Sequence, residues 1–159
     1  MNTLSTISFL QGNKYKVEKL LGSGGFGNTY LATQVTLGRK VAIKEFFMKE
    51  LCNRDEQTSQ VSVPSMGSVD TVARFRAKFV KEAQTIAALN NPHIIHIHDI
   101  FEENGTAYYV MDYLSGGSLS DLVQRNGVLA EATALGYIRQ VADALSYIHA
   151  RNINHLDIK

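Results

Sequence analysis

Residues 22–31 read Gly22-Ser23-Gly24-Gly25-Phe26-Gly27-Asn28-Thr29-Tyr30-Leu31, with glycines at G-x-G-x-x-G spacing. Glycine lets a backbone pass close to phosphate groups and turn its N–H groups toward them. The residues after the glycines set the geometry. Thr29, Tyr30 and Leu31 are β-branched, aromatic and apolar, so a strand, not a helix, leaves the turn. Lys14–Leu21 alternates loosely on the other side, which puts the glycines at the tip of a β-hairpin. Working outward, Thr29–Gln34 continues the second strand, Leu37–Lys40 turns around Gly38, and Val41–Phe47 is a third strand. The turns are too short for crossover helices, which predicts an antiparallel meander.

Beyond it, Leu51–Asp70 is polar, with Pro64 and Gly67 near its middle, and reads as a loop or mobile insertion. Val72, Phe75, Phe79, Ile86 and Leu89 then recur on one helical face, and Asn90-Asn91-Pro92 ends that helix. Ile94–Phe101 and Ala107–Tyr113 are two further strands joined by a turn at Glu103-Asn104-Gly105. Ser115-Gly116-Gly117 is a break, after which Ser118 caps a short helix that Asn126-Gly127 stops. Glu131–His149 carries Leu135, Ile138, Val141, Leu145 and Ile148 at spacings of three and four, a long amphipathic helix. The pattern is α+β: five strands with one long helix between the third and fourth, then an α-rich part too short to bury its own helices well.

Composition narrows the function classes. The 159 residues are 45% apolar and 19% charged, with a net charge of +1. That balance gives no electrostatic basis for binding nucleic acid or an acidic membrane surface. The single cysteine, Cys52, excludes an internal disulfide and favours a reducing compartment. It lies at the start of a polar loop with no base nearby to make it a nucleophile. No apolar run approaches the ~18 residues of a spanning helix, and Met1–Tyr15 has no signal-peptide pattern. His93, His96 and His98 lack a neighbouring cysteine, and Asp99 is the one carboxylate beside them, so they do not read as a metal site.

The glycine spacing also occurs in dinucleotide-binding turns, and Glu45, 18 residues after Gly27, lies near where an acidic ribose ligand would stand. That motif requires a helix directly after the glycines, which Thr29-Tyr30-Leu31 contradicts. A second feature points elsewhere. Lys44 lies within the apolar strand Val41-Ala42-Ile43-Lys44, and a lysine there needs its charge paired. Glu82, on the following helix, is its natural partner. Glycine hairpin, V-A-I-K lysine and helix glutamate, in that order, resemble a protein kinase.

The resemblance implies further roles. The glycine loop (Leu21, Gly22, Ser23, Gly24, Gly25, Phe26 and Gly27) would cover ATP, with Lys44 on its phosphates and Thr29 and Ala42 packed on the adenine faces. Thr29 stands where the family usually has valine. Tyr109–Leu114 looks like the last small-lobe strand running into the hinge: Met111 as gatekeeper, the backbone of Asp112 and Leu114 pairing with the adenine edge, Ser118 near the ribose. His155-Leu156-Asp157-Ile158-Lys159 looks like the start of the catalytic loop, with Asp157 as base or orienting carboxylate and Lys159 steadying the transferred phosphoryl group. A lysine two residues after the aspartate is the serine/threonine form. His155, Ile86 and Ile97 look like members of the regulatory hydrophobic stack. Leu156 replaces an arginine that ordinarily pairs with a phosphorylated activation loop, so activity should not depend on that phosphorylation.

The expected architecture is thus a protein-kinase small lobe, a five-stranded antiparallel sheet plus one long helix, over residues 1–111. A hinge at 112–117 and an incomplete large lobe at 118–159 come after it, with 51–70 as an insertion, since 38 residues separate Lys44 from Glu82. No metal ligand is assigned within the chain; those for Mg2+ are expected beyond Lys159. The chain is therefore expected to be a fragment, inactive alone, of a bacterial-looking cytoplasmic serine/threonine kinase that uses ATP and a protein substrate. The alternatives are a nucleotide- or partner-binding module without turnover and, more remotely, a dinucleotide-dependent oxidoreductase. The apolar stripe of Glu131–His149 predicts self-association of the isolated chain.

Overall fold

The structure is a computed structural model that describes residues 3–5, 8–156 and 158. It divides into two compact units: 1–88 with 96–113, and 89–95 with 114–159. The first is built on a sheet of six antiparallel strands: β1 (Phe9–Leu10), β2 (Tyr15–Ser23), β3 (Gly27–Gln34), β4 (Arg39–Phe46), β7 (Ile97–Glu103) and β8 (Thr106–Asp112). They lie in the order β1-β2-β3-β4-β8-β7. The five expected strands are present, and β2, β3 and β4 form the expected meander, with β8 and then β7 added beside β4. The sixth, β1, pairs Phe9 with Lys16 and Leu10 with Tyr15 on the outer edge of β2; a two-residue strand has no period to read in a sequence.

Register divides the sheet into two faces, because residues directly opposite one another across an antiparallel pair point the same way. Thr29 pairs with Lys44 and Leu31 with Ala42, while Ala42 pairs with Met111 and Lys44 with Tyr109. These share one face with Phe46. Helix α1 (Val69–Ala87) covers that face, burying Val72, Phe79 and Ala83, whose spacings of seven and four form a single stripe. Phe79 lies 5.7 Å from the Phe46 ring and 4.9 Å from Tyr109, and removing such a buried aromatic costs about 3–5 kcal/mol.

The opposite face carries Tyr15, Val17, Tyr30, Ala32, Val41, Ile43, Tyr108 and Val110, closed over by Leu4 and Leu10. Here the sheet curls. Tyr15 of β2 stacks on Phe101 of β7 at 6.1 Å, and Phe101 on Tyr108 at 5.2 Å, although β2 and β7 stand near opposite ends of the strand order. Lys14 and the Tyr15 hydroxyl both reach Asp99 of β7. The right-handed twist of a sheet makes such closure accessible.

Residues 51–70 form a folded element rather than a loop. Strands β5 (Asn53–Arg54) and β6 (Val61–Ser62) make a two-stranded ribbon, its turn closed where the Asp55 side chain accepts from the Gln57 and Thr58 amides. The ribbon rests on the β7–β8 turn, where the Val61 amide donates to the Asn104 carbonyl at 2.8 Å. A Cβ at Gly105 would meet the Val61 carbonyl at 2.6 Å, and Gly105 has φ +70°, so contact and conformation both require glycine there.

In the second unit, α2 (Leu119–Asn126) begins at a capping box between Ser118 and Asp121. Helix α3 (Glu131–His149) has the predicted bounds; it buries Ile148 and leaves Leu135, Ile138 and Val141 exposed.

Gly27 is held by packing rather than conformation. A Cβ there would lie 2.3 Å from the Glu45 carbonyl oxygen, whereas one at Gly22 would meet nothing within 4 Å. Gly27→Ala is expected to destabilise the fold by about 2–3 kcal/mol, and Gly22→Ala by less than about 1 kcal/mol, read from urea unfolding midpoints.

Candidate functional site

The β2–β3 hairpin presents the glycines. Its tip closes where the Gly24 amide donates to the Gly27 carbonyl at 2.8 Å, and the Phe47 amide holds the Phe26 carbonyl at 3.1 Å. The Phe26 side chain, 60% exposed, stacks on Phe75 of α1 at 5.6 Å. Gly22 and Gly25 have open space where a Cβ would stand. Packing therefore does not demand glycine at either position, and a bulky ligand can approach the backbone there.

Below the hairpin, Thr29, Ala42, Lys44 and Met111 project from one sheet face by the register above. Lys44 Nζ lies 5.6 Å from the Tyr109 ring centroid and 6.0 Å from that of Phe79. Burial raises the Tyr109 hydroxyl's pKa, opposed by the charge and hydrogen bond of Lys44. Glu82 is exposed on α1, and among the described residues no ion pair joins it to Lys44. Its charge nevertheless reaches Tyr109, raising that pKa further. The structure thus sets lysine and glutamate around one tyrosine without closing them on each other.

At the end of β8 the Asp112 side chain is held by His98 Nε2 at 2.6 Å, and the Asp112 amide donates to the His96 carbonyl at 3.1 Å. Among the described residues no cluster of three or more His, Cys, Asp or Glu side chains could hold a metal ion. Cys52 is buried, and burial pushes its thiol pKa up.

In the second unit, Leu114 is exposed. The Ser118 hydroxyl donates to Asp121 Oδ2 at 2.7 Å and accepts from the Asp121 amide at 3.1 Å. The backbone N–H of Ser118 and then its hydroxyl hold the Asp121 carboxyl below its usual range. Ile86 and Ile97 share the core under α1, and His155 belongs to the second unit. Asp157 and Lys159, expected as catalytic, lie outside the described residues.

Sequence reasoning misses Glu45 and Arg54 as a pair. Glu45 is fully buried on the face opposite Lys44, and its carboxyl accepts from Asn28, Tyr30, Arg54 and Tyr108. A signal for it exists: a carboxylate inside the apolar run Val41–Phe47 needs buried donors as surely as the lysine before it needs a partner.

The open arrangement of Lys44 and Glu82 has a consequence for stability. Glu82→Gln is expected to leave the unfolding free energy within about 0.5 kcal/mol, as an exposed, unpaired charge should. A loss above about 2 kcal/mol in thermal unfolding would show the pair closed in solution.

Residues 15–159 match the protein kinase domain family model. The serine/threonine-protein kinase PrkC of Bacillus subtilis is 32% identical over 146 residues, 92% of this chain and 20% of that protein. Serine/threonine-protein kinase PknD of Mycobacterium tuberculosis is 35% identical over 149 residues, 94% of this chain and again 20% of the relative. The chain thus spans about a fifth of these relatives' length. Among solved structures, PpkA-294 in its apo form superposes with a TM-score of 0.87 at 27% identity, covering all of this chain and 56% of that one. Rad53 1–466 in complex with AMP-PNP gives 0.67 at 26% identity over 93% of this chain and 33% of that one. The curled sheet, α1 and the motifs along them therefore have one family behind them: the chain belongs to the protein kinase domain family.

Proposed function

We propose that the protein carrying this chain transfers the γ-phosphoryl group of ATP to serine or threonine hydroxyls of a protein substrate. The observation that carries this is the shared face of Thr29, Ala42, Lys44 and Met111 beside a glycine hairpin whose Gly22 and Gly25 are open. The kinship with serine/threonine kinases and the AMP-PNP held by Rad53 support it.

In this reading Thr29, Ala42 and Met111 form the walls against the adenine, and the backbone of Asp112 and Leu114 meets its edge. The 112–117 segment is the hinge and Ser118 stands near the ribose. The hairpin from Leu21 through Ser23, Gly24 and Phe26 to Gly27 lies over the phosphates. Lys44 neutralises phosphate charge, and Glu82 closes on Lys44 when α1 takes its active position. Asp157 orients the attacking hydroxyl and accepts its proton, and Lys159 steadies the charge on the transferred group. Catalysis of this kind is positioning and charge stabilisation. Magnesium, when bound, shields the phosphate charge. The described residues offer it no ligand cluster, so the roles above are those of the chain's own side chains. A cytoplasmic setting, where ATP is available, follows from the same reading; no helix among the described residues is long and apolar enough to cross a membrane.

The test is phosphate transfer from labelled ATP by the full-length protein. Lys44→Met should lower it by about a hundredfold or more with the fold intact. Gly22→Ala and Gly25→Ala should raise KM for ATP while stability changes by less than about 1 kcal/mol. ATP binding with no transfer under any condition would favour a binding module instead.

Leu156, 92% exposed, offers no cation to a phosphorylated loop. Activity should therefore survive phosphatase treatment, and its abolition would refute the point. In the isolated chain, the exposed α3 stripe of Leu135, Ile138 and Val141 should drive self-association; a clean monomer by light scattering would dismiss that.

A further inference from the structure

The sheet face opposite Lys44 holds a chain of side chains that reaches the glycine hairpin from outside the proposed site. Ser23 Oγ, beside the hairpin tip, donates to Asn28 Oδ1 at 2.5 Å. Asn28 Nδ2 donates to Glu45 Oε2 at 3.0 Å, and the Tyr30 hydroxyl donates to the same oxygen at 2.8 Å. On Oε1, Arg54 Nη2 donates at 2.5 Å and the Tyr108 hydroxyl at 2.8 Å. Arg54 Nη1 continues to the Ser59 carbonyl at 2.7 Å, inside the turn of the 53–62 ribbon. The Arg54 and Glu45 side chains are 2% and 0% exposed. The chain thus runs without interruption from the ribbon to the glycine hairpin.

Three features indicate that its value lies in position more than in stability. A buried ion pair adds little over an apolar pair of similar size, because desolvation offsets the attraction. This one is not even fully satisfied, since Arg54 Nε has no hydrogen-bond partner among the described residues. And its anchor is placed tellingly: Glu45 follows Lys44 on β4, and its register partner Asn28 sits between Gly27 and Thr29. Both hydroxyl donors stay protonated, because burial and then the neighbouring Glu45 charge push the Tyr30 and Tyr108 pKa values well above the usual tyrosine range. Four donors on two oxygens leave Glu45 a single orientation.

We propose that Arg54, Glu45 and Asn28 are positioning residues through which the 53–62 ribbon sets the order of the glycine hairpin. In its activity readout this rests on the kinase reading above. Loosening the ribbon end should free the hairpin tip, some thirty residues earlier in the chain, while leaving the strands that carry it intact.

The experiment is amide hydrogen exchange on the full-length protein with Arg54→Met, beside Val17→Ala as a core control of the same face. Arg54→Met should speed exchange at residues 23–28 about tenfold beyond any acceleration at Val41–Ile43, the signature of a local opening added to the lost stability of the pair. Val17→Ala should show no such contrast. KM for ATP should rise about fivefold in Arg54→Met with kcat within about twofold, as loss of a phosphate-covering loop predicts. Arg54→Lys, which keeps a cation beside Glu45, should recover most of both effects. Unchanged hairpin exchange, or exchange raised uniformly across the sheet, overturns the proposal. Should Arg54→Met fail to fold, Arg54→Lys decides: a two- to threefold rise confined to 23–28 supports the relay, and none overturns it. If the unaltered protein neither binds nor turns over ATP, the kinase reading falls while the exchange result still judges the relay.

Discussion

The first unit depends on one buried carboxylate. Glu45 collects donors from β3, β8 and the 53–62 ribbon, so three separate pieces of chain are fixed to one strand at one point. Removing one partner of such a buried pair leaves an uncompensated charge and costs about 3–5 kcal/mol. Burial works against the charge of Arg54, and the attraction of Glu45 more than restores it, leaving the guanidinium pKa raised. The fold therefore tolerates little change at this point, although none of these groups touches the face on which the proposed chemistry is done.

Strand alternation is what allows one strand to serve both ends. Lys44 and Glu45 are neighbours in sequence and point to opposite faces. Lys44 faces α1 and the hairpin's working side; Glu45 faces the curled interior. A slip of one residue in the β3–β4 register would exchange them, burying the lysine among Tyr30 and Tyr108 and exposing the carboxylate to Phe79. The paired donors on one face and the aromatic pair Phe79–Tyr109 on the other both oppose that slip. Gly27 adds a third restraint, because it admits the Glu45 carbonyl only in this register.

Much of this was legible in the sequence, and the limits have physical causes. The glycine hairpin, the meander and both long helices were readable because their signals are local: turn residues, alternation, and stripes at spacings of three and four. The expected N-cap at Ser118 was found for the same reason. The ribbon was not readable. Its strands are two residues each, its composition is polar, and its stability comes from Arg54, Asn104 and Gly105 meeting groups far along the chain. The Lys44–Glu82 pairing was inferred from the need of a lysine in an apolar strand for a partner and from motif order, and neither carries information about whether a helix has closed on its sheet.

The connection between α1 and β7 alters how this chain can be divided. Residues 89–95 belong to the second unit, whereas α1 before them and β7 after them belong to the first. The Asn90 amide donates to the Tyr147 hydroxyl at 2.9 Å, and Asn91 Nδ2 reaches Asp143 Oδ2 at 3.0 Å. The chain therefore crosses the unit boundary three times, and no single cut separates the two. A protease nicking the Ser115–Gly117 break would leave both fragments sharing one unit, with α3 still holding a peptide that is covalently part of the other piece. Complementation of two halves split there, rather than independent folding of either, is the behaviour such a topology favours.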